Sequence, residues 1–321
     1  MPIHITGTGS ALPELRVTNF DMEKLVDTND EWIFSRTGIK ARHVLQDETL
    51  YDLTLKASQH AMEASKANPE DIELIICATF TSASGVPSLA AEIRKGLGCT
   101  RAVAFDINAA CTGFIYAMTI AESMMKTAGY QKALVIGAEA LSKYTDWTDR
   151  ETCILFGDGA GAAVLEQSEE AGIIDSILEG QIDTDNALTL SGTKSENPFS
   201  NAPQANVAVK MNGKAVFAFA VNAMSKLIKE LSEKANVSIE EIAVFVPHQA
   251  NVRIIKSTAT RLGIGIDKFF MNIEDTGNTS AASIGIALDE LYQSKRLKKG
   301  DLVMAIGFGG GFTSGAVLYR V

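Results

Sequence analysis

The chain has 321 residues, 46% of them hydrophobic, and a formal charge of −10 from 29 Lys and Arg against 39 Asp and Glu. That length fits one large domain or two fused halves with an extensive core, and the negative charge without a long basic run excludes general nucleic-acid binding. Four cysteines without CxxC spacing and four scattered histidines argue against structural zinc or a disulfide framework, so no metal is expected and a reducing, cytoplasmic setting fits.

The opening, Met1-Pro-Ile-His-Ile-Thr-Gly7, has no basic or apolar leader region. No uninterrupted apolar span approaches about 18 residues, so no membrane insertion is expected. Gly7-Thr-Gly-Ser10 and Phe156-Gly-Asp-Gly-Ala-Gly161 superficially resemble dinucleotide loops. Neither fits GxGxxG opening a helix, and both read as turns and close packing. An Ala-rich amphipathic run, Leu53 to Ala67, leads to the buried strand Leu74-Ile-Ile-Cys-Ala78.

A short strand, Ala102 to Ile107, then precedes Asn108-Ala-Ala-Cys111-Thr-Gly-Phe114. Cys111 stands at the start of a helix-like run, where the helix dipole favours a thiolate. Lowering a free thiol from ~8.5 to ~7 takes roughly 2 kcal/mol. A helix end supplies at most about that much, so a partner group is expected. Cys77, Cys99 and Cys153 read as buried structural thiols, and His4, His43 and His60 as surface or satisfied core residues. Lys132-Ala-Leu-Val-Ile-Gly137 closes this half as a buried strand ending in glycine.

The second half echoes the first at an offset of about 167–170 residues. Val221 to Ala235 leads to the strand Ile242 to Val246, and Asp301 to Gly307 repeats the strand ending in glycine. The shift pairs Cys111 with Asn278. Strands alternating with helices predict βαβ crossovers and a mostly parallel sheet in each half. The halves, 1–172 carrying the nucleophilic Cys and 173–321 carrying His and Asn, meet near Gly172. The polar stretch from Gln181 to Asn212 reads as hairpins and loops, with the character of a lid.

His248, in Pro247-His-Gln-Ala-Asn251, follows directly on a strand, where α/β proteins place catalytic groups. Asn278, in Gly277-Asn-Thr-Ser280, stands on a turn entering a helix; alone it reads as a cap. Gly307-Phe-Gly-Gly-Gly-Phe-Thr-Ser-Gly315 predicts a tight hairpin whose bare N–H groups can face an oxyanion. Cysteine supplies a thioester-forming nucleophile. Histidine and a carboxamide, both neutral donors, suit a developing enolate, and together the set suits carbon–carbon bond formation. A papain-like hydrolase uses the same three residue types, but the frame around Cys111 lacks the papain signature.

Taken in order, these motifs resemble those of the β-ketoacyl-acyl carrier protein synthase III family, the condensing enzymes that begin fatty-acid synthesis. Asp30-Glu-Trp-Ile33, Arg36-Thr-Gly-Ile39, Thr148-Asp-Arg150 and Phe308-Gly-Gly-Gly-Phe-Thr313 join the segments already quoted. The resemblance implies a thiolase-like α/β fold of two pseudo-duplicated halves with a five-layered α-β-α-β-α core, and a homodimer. It implies that Cys111 takes the acyl group of acyl-CoA while His248 and Asn278 bind the malonyl-acyl carrier protein thioester and stabilise its enolate. The amides of Cys111 and Gly310 would form the oxyanion hole. Trp32, Arg36 and Arg150 would hold the CoA adenine and phosphates, and Thr28, Gly213 and Asn251 would line the pantetheine channel. No metal or redox cofactor is implied; the CoA thioester is a substrate. Val86 and Phe308 would border the acyl pocket. Val86 stands where acetyl-preferring members have phenylalanine, contributed across the dimer, so primers longer than acetyl are expected. Ser314 replaces a common tryptophan, again trimming bulk near the site. Ala218 and Thr260 occupy positions often basic in the carrier-protein surface, leaving Arg253, Lys256 and Arg261 to dock it. A specialised-metabolism acyltransferase of the same fold and a Cys-dependent acyl-CoA thioesterase are the competing readings.

Overall fold

Each half of the chain builds one mixed sheet in this computed structural model, which describes residues 1–169, 172–190 and 207–321. The first half runs β1 (Ile3–Ala11), β2 (Arg16–Thr18), α1 (Asn19–Met22), α2 (Asp30–Thr37), β3 (Ala41–His43), α3 (Leu50–Ser65), β4 (Leu74–Ala78), α4 (Leu89–Leu97), β5 (Val103–Ile107), α5 (Gly113–Ala128), β6 (Lys132–Glu139) and β7 (Gly159–Gln167). The second runs β8 (Ile173–Gly180), β9 (Leu188–Leu190), β10 (Val209–Met211), α6 (Gly213–Lys234), β11 (Ile242–Pro247), α7 (Val252–Leu262), α8 (Ile273–Thr276), α9 (Ala282–Gln293), β12 (Leu302–Gly309) and β13 (Thr313–Arg320).

The first sheet has the order β1-β7-β6-β4-β5 and the second β8-β13-β12-β11. Where β5 flanks β4 in the first sheet, the second has a single parallel bridge, Phe245 to Phe269. Among the described residues, parallel ladders are confined to β4 with β5 and β6, and to β11 with β12. The remaining ladders are antiparallel, so each sheet is more mixed than βαβ alternation alone suggests.

Apolar periodicity explains the layering. Helices α3 and α4 cover the outer face of the first sheet, where Ala57, Ala61 and Ile93 meet Ile75 and Leu134. Helices α6 and α7 cover the outer face of the second, with Leu227, Ile228 and Ile255 against Phe245 and Met304. Helices α5 and α9 are sandwiched between the sheets and contribute Phe114, Met118, Ile284 and Leu288 to one central core; an apolar surface nearly all round suits that position. Five layers result. Gly7 and Gly9 lie inside β1, not in a turn, and Gly161 lies inside β7. A Cβ on Gly7 would stand 2.3 Å from Ala61 O, and one on Gly161 2.4 Å from the Ile286 amide. These glycines therefore serve close strand–helix packing.

The halves interlock across a local two-fold relation. A Cβ on Gly137 of β6 would meet Ala281 O at 2.2 Å, while one on Gly307 of β12 would meet Thr112 Cα at 3.2 Å. Two non-glycine residues with positive φ precede the central helices, Ala110 at 46° and Ser280 at 48°. Backbone geometry thus matches Ala110 with Ser280 and sets Cys111 opposite Ala281, correcting the pairing of Cys111 with Asn278 that the sequence echo suggests.

Candidate active site

Cys111 lies in the single 3₁₀ turn Ala110–Thr112 that feeds α5, with Ala110 held in the left-handed region. Gly309 of β12 passes directly against it, and the amides of Cys111 and Gly310 approach the sulfur. The Ser280 hydroxyl donates to Cys111 Sγ at 3.2 Å. The helix position leads one to expect a lowered thiol pKa; instead, burial pushes the Cys111 thiol up to about 11, while the Ser280 bond and the two amides pull the other way. Fully buried Glu139, at the end of β6, adds to the upward shift. Its carboxyl accepts bonds from the Thr81 hydroxyl and the Phe80 amide and is itself pushed well above the carboxylate range by burial.

His248 follows β11, its amide donating to Ile306 O at 2.7 Å. Gln249 locks this turn: its side chain donates to Pro247 O and Phe270 O and accepts from the Asn272 and Ile273 amides. The His248 ring is 1% exposed, meets Phe308 edge-on at 5.1 Å, and pairs Nδ1 with Ser283 Oγ at 2.6 Å. Burial lowers its pKa to about 3, so the imidazole is neutral at working pH.

Asn278 is fixed by its backbone, which donates to Leu155 O at 2.9 Å and accepts from the Gly157 amide at 3.0 Å. Its Oδ1 accepts the Ser280 amide at 2.9 Å, which leaves Nδ2 for a ligand. Asn278 is therefore not the cap of α9. Asn251, by contrast, does cap a helix: its side chain accepts from the Arg253 amide at the start of α7. The buried Arg42 guanidinium donates to Ile154 O and Asn19 Oδ1, bracing the turn that carries Phe156 to its bridge with Asn278.

Cys111, His248 and Asn278 line one cavity of about 1040 Å³, together with Trp32, Arg36, Arg150, Gly213, Asn251, Arg253 and Phe308. The guanidinium carbons of Arg36 and Arg150 lie 4.9 and 5.0 Å from the centroid of the Trp32 ring. A Cβ on Gly213 would come no closer than 3.9 Å to other atoms, so its absence leaves space open to the cavity. Thr28 is not among the lining residues; its hydroxyl is buried without a partner. On α7, Arg253, Lys256 and Arg261 are exposed, with Arg261 bonded to Asn222 of α6.

Cys111 also lines a second cavity of about 490 Å³, walled by Phe80, Leu141, Tyr144, Leu190, Val209 and Gly310. Gly310 apart, these walls carry no signal in the sequence, because they are ordinary apolar residues from four separate segments. Phe308 lies on the other side, in the large cavity beside His248. Val86 is 91% exposed and lines neither. Ser314 is buried in a separate cavity with Glu179, Phe219 and Lys226, so within this chain it does not trim the site. Ser280 stands within the motif Gly277-Asn-Thr-Ser280 and Ser283 three residues beyond it, and neither carries an assigned role in the sequence. Of the polar stretch 181–212, the described residues include the β9–β10 ladder, which borders both cavities. Residues 191–206 lie outside the described residues.

A sulfur opening on two cavities, carried on a duplicated five-layer frame, is the architecture of thiolase-fold condensing enzymes. The family model described as 3-oxoacyl-[acyl-carrier-protein] synthase III matches residues 105–181, and the model of its C-terminal part matches residues 232–321. A β-ketoacyl-[acyl-carrier-protein] synthase III of Clostridium acetobutylicum is 46% identical over 319 residues, 99% of this chain and 98% of the relative. The crystal structure of 3-oxoacyl-[acyl-carrier-protein] synthase III from Aquifex aeolicus VF5 superposes with a TM-score of 0.93 at 43% identity, covering 99% of this chain and all of that one. The β-ketoacyl-[acyl carrier protein] synthase III of Thermus thermophilus gives 0.92 at 39% identity, with 99% of each chain covered. The chain belongs to the 3-oxoacyl-[acyl-carrier-protein] synthase III family. It is an acyltransferase of the condensing type that initiates fatty-acid synthesis. No helix among the described residues is long and apolar enough to cross a membrane.

Proposed function

We propose that this enzyme transfers the acyl group of an acyl-CoA primer to Cys111 and condenses it with malonyl-acyl carrier protein, releasing CoA and CO₂. The observation that carries the reading is the position of Cys111 between a channel lined by cations, His248 and Asn278 and a separate apolar cavity. In the first stage Sγ attacks the primer carbonyl and the Cys111 and Gly310 amides hold the oxyanion. The bond to the CoA sulfur breaks, and the thiol proton ends on that sulfur. In the second stage the malonyl thioester carbonyl accepts from His248 and Asn278 Nδ2. Ser283 Oγ, 2.6 Å from His248 Nδ1, can donate its proton there, and the reaction requires this tautomer because it leaves the ring proton on Nε2 for the malonyl carbonyl. Carbon dioxide leaves, the enolate carbon bonds to the acyl carbonyl as the bond to Sγ breaks, and the departing Cys111 thiolate takes one proton from solvent. The donors are neutral, so the enolate needs neither a metal nor a redox cofactor.

In this reading Trp32, Arg36 and Arg150 grip the adenine and phosphates of CoA, with Gly213 and Asn251 along its channel. Arg253, Lys256 and Arg261 attract the acidic carrier protein in the cytoplasm. The homodimer forms along β5. This edge strand of the first sheet leaves Val103 45% exposed and Phe105 and Ile107 half-buried, an apolar edge that pairing with a second copy would cover. Two halves, 1–172 and 173–321, then meet around one site. Intact mass spectrometry after exposure to acyl-CoA tests the assignment. An acyl mass is expected that is absent in Cys111→Ala and is discharged by malonyl-acyl carrier protein. Release of free acid without malonyl-dependent CO₂ would make the protein a thioesterase instead.

A further inference from the structure

We infer that the side chain of Ser280 is a further catalytic residue, the hydroxyl that stabilises the Cys111 thiolate through the hydrogen bond it donates to Sγ. The inference rests on the reading of Cys111 as the nucleophile. Ser280 is 1% exposed, and it lines the apolar cavity together with Cys111 and Gly310. Its φ of 48° is a conformation a side-chain-bearing residue adopts at a cost. That backbone turns the hydroxyl onto the sulfur at 3.2 Å while the amide of the same residue holds Asn278 Oδ1 at 2.9 Å. One strained residue thus joins the nucleophile of the first half to the carboxamide of the second.

The chemistry asks for such a donor. Sγ is buried, and the titratable groups around it give it no cation: His248 is neutral, and the acidic Glu139 opposes ionisation of the thiol. The oxyanion amides of Cys111 and Gly310 are committed to the substrate oxygen once acylation begins, whereas the Ser280 hydroxyl approaches the sulfur itself. A hydrogen bond to an ionised group shifts its equilibrium by about tenfold or more. Ser280 remains protonated throughout. It supports the thiolate as the thiol proton leaves during acylation, and supports it again when condensation expels Cys111.

The test compares wild type, Ser280→Ala and Ser280→Gly, with Cys111→Ala as blank, in two assays. The first is iodoacetamide alkylation against pH. The second is the rate of acyl transfer from acyl-CoA, read by intact mass. Removing the hydroxyl is expected to move the alkylation profile up by about one pH unit and slow acylation about 10-fold at neutral pH. Malonyl thioester decarboxylation should fall far less, because the Ser280 amide still holds Asn278. A purely structural role would depress both activities together and leave the alkylation profile in place; an alkylation profile that superimposes on wild type overturns the inference. Should Ser280→Ala fold poorly, Ser280→Gly carries the same comparison with its backbone relaxed. A wild-type protein that gains no acyl mass at Cys111 would refute the nucleophile reading itself, a separate result.

Discussion

The α-carbon of Gly309 lies so close to Cys111 that a Cβ there would sit 2.8 Å from the Cys111 amide nitrogen and 2.9 Å from its Cβ. The backbone of Gly309 is extended, with φ −170°, so space and not conformation demands glycine. Gly309→Ala must therefore displace the turn that aims the sulfur and one of the two oxyanion amides. Loss of one such donor costs about 10²–10³ in rate. Acylation measured by single-turnover mass spectrometry is expected to fall by about 10² or more, while circular dichroism remains native. A variant within a few-fold of wild type would refute the proposed oxyanion geometry.

Buried His248 links catalysis to stability. Its native pKa is about 3 against 6.5 unperturbed. Below pH 6.5 the unfolded chain takes up a proton that the native ring refuses, so this group makes stability fall as pH drops from 6.5 towards 3. The slope approaches about 1.4 kcal/mol per pH unit. Glu139 acts with the opposite sign: its pKa is raised on folding, and its contribution is lost as pH rises above the unfolded value of 4.5. Urea denaturation of wild type and His248→Asn at pH 7, 6 and 5 separates the two. The difference in slope between them is expected to approach one proton below pH 6.5, and equal slopes would mean that the native imidazole titrates normally.

Much of this was legible in the sequence, for physical reasons that also mark where legibility ended. The buried strands Leu74–Ala78 and Ile242–Pro247 read clearly because each is a short apolar run bounded by turn residues. Cys111, His248 and Asn278 stood out because polar or reactive residues at strand–helix junctions are exposed to chemistry. What could not be read was mutual position. The match of Ala110 with Ser280 rests on two φ angles, which no residue letter displays. The helix position predicts a lowered thiol pKa and the structure shows a raised one, since the helix end is a local feature whereas burial between the two halves is not, and the bonds from Ser280 and the Cys111 and Gly310 amides only partly offset it. The walls Leu141, Tyr144, Leu190 and Val209 are apolar residues that differ from core residues only in facing a void.

Trp32 offers a test of CoA recognition that leaves the chemistry intact. Its indole, on α2, is flanked by the guanidinium groups of Arg36 and Arg150, and Arg150 is also anchored to Asp27 O at 2.9 Å. Stacking of this kind is worth about 0.5–2 kcal/mol. Trp32→Ala is expected to raise KM for acyl-CoA about 10-fold with little change in kcat. With a short acyl N-acetylcysteamine thioester, which lacks adenine and phosphates, variant and wild type should coincide. An equal loss with both donors would place Trp32 in the support of the fold.

On the proposed reading, primer length is set by the second cavity, which Cys111 lines and Val86 of this chain does not. Register pairs Leu188 with Met211 and Leu190 with Val209. Both members of the first pair line the large cavity, with Leu188 reaching the apolar one as well, and the second pair lines only the apolar one, so the β9–β10 ladder lies between them. A space of about 490 Å³ walled by Phe80, Leu141, Tyr144, Leu190 and Val209 is far larger than an acetyl methyl requires. Each further methylene buried there contributes about 0.8 kcal/mol, or roughly fourfold in affinity. Wild-type kcat/KM is therefore expected to hold or rise from acetyl-CoA to hexanoyl-CoA. Leu190→Trp and Val209→Phe should fill the cavity and reduce hexanoyl transfer by about 10-fold or more while sparing acetyl transfer. A steep fall from acetyl to hexanoyl in the wild-type enzyme, or variants that leave the hexanoyl-to-acetyl ratio unchanged, would show that the acyl chain does not enter this cavity.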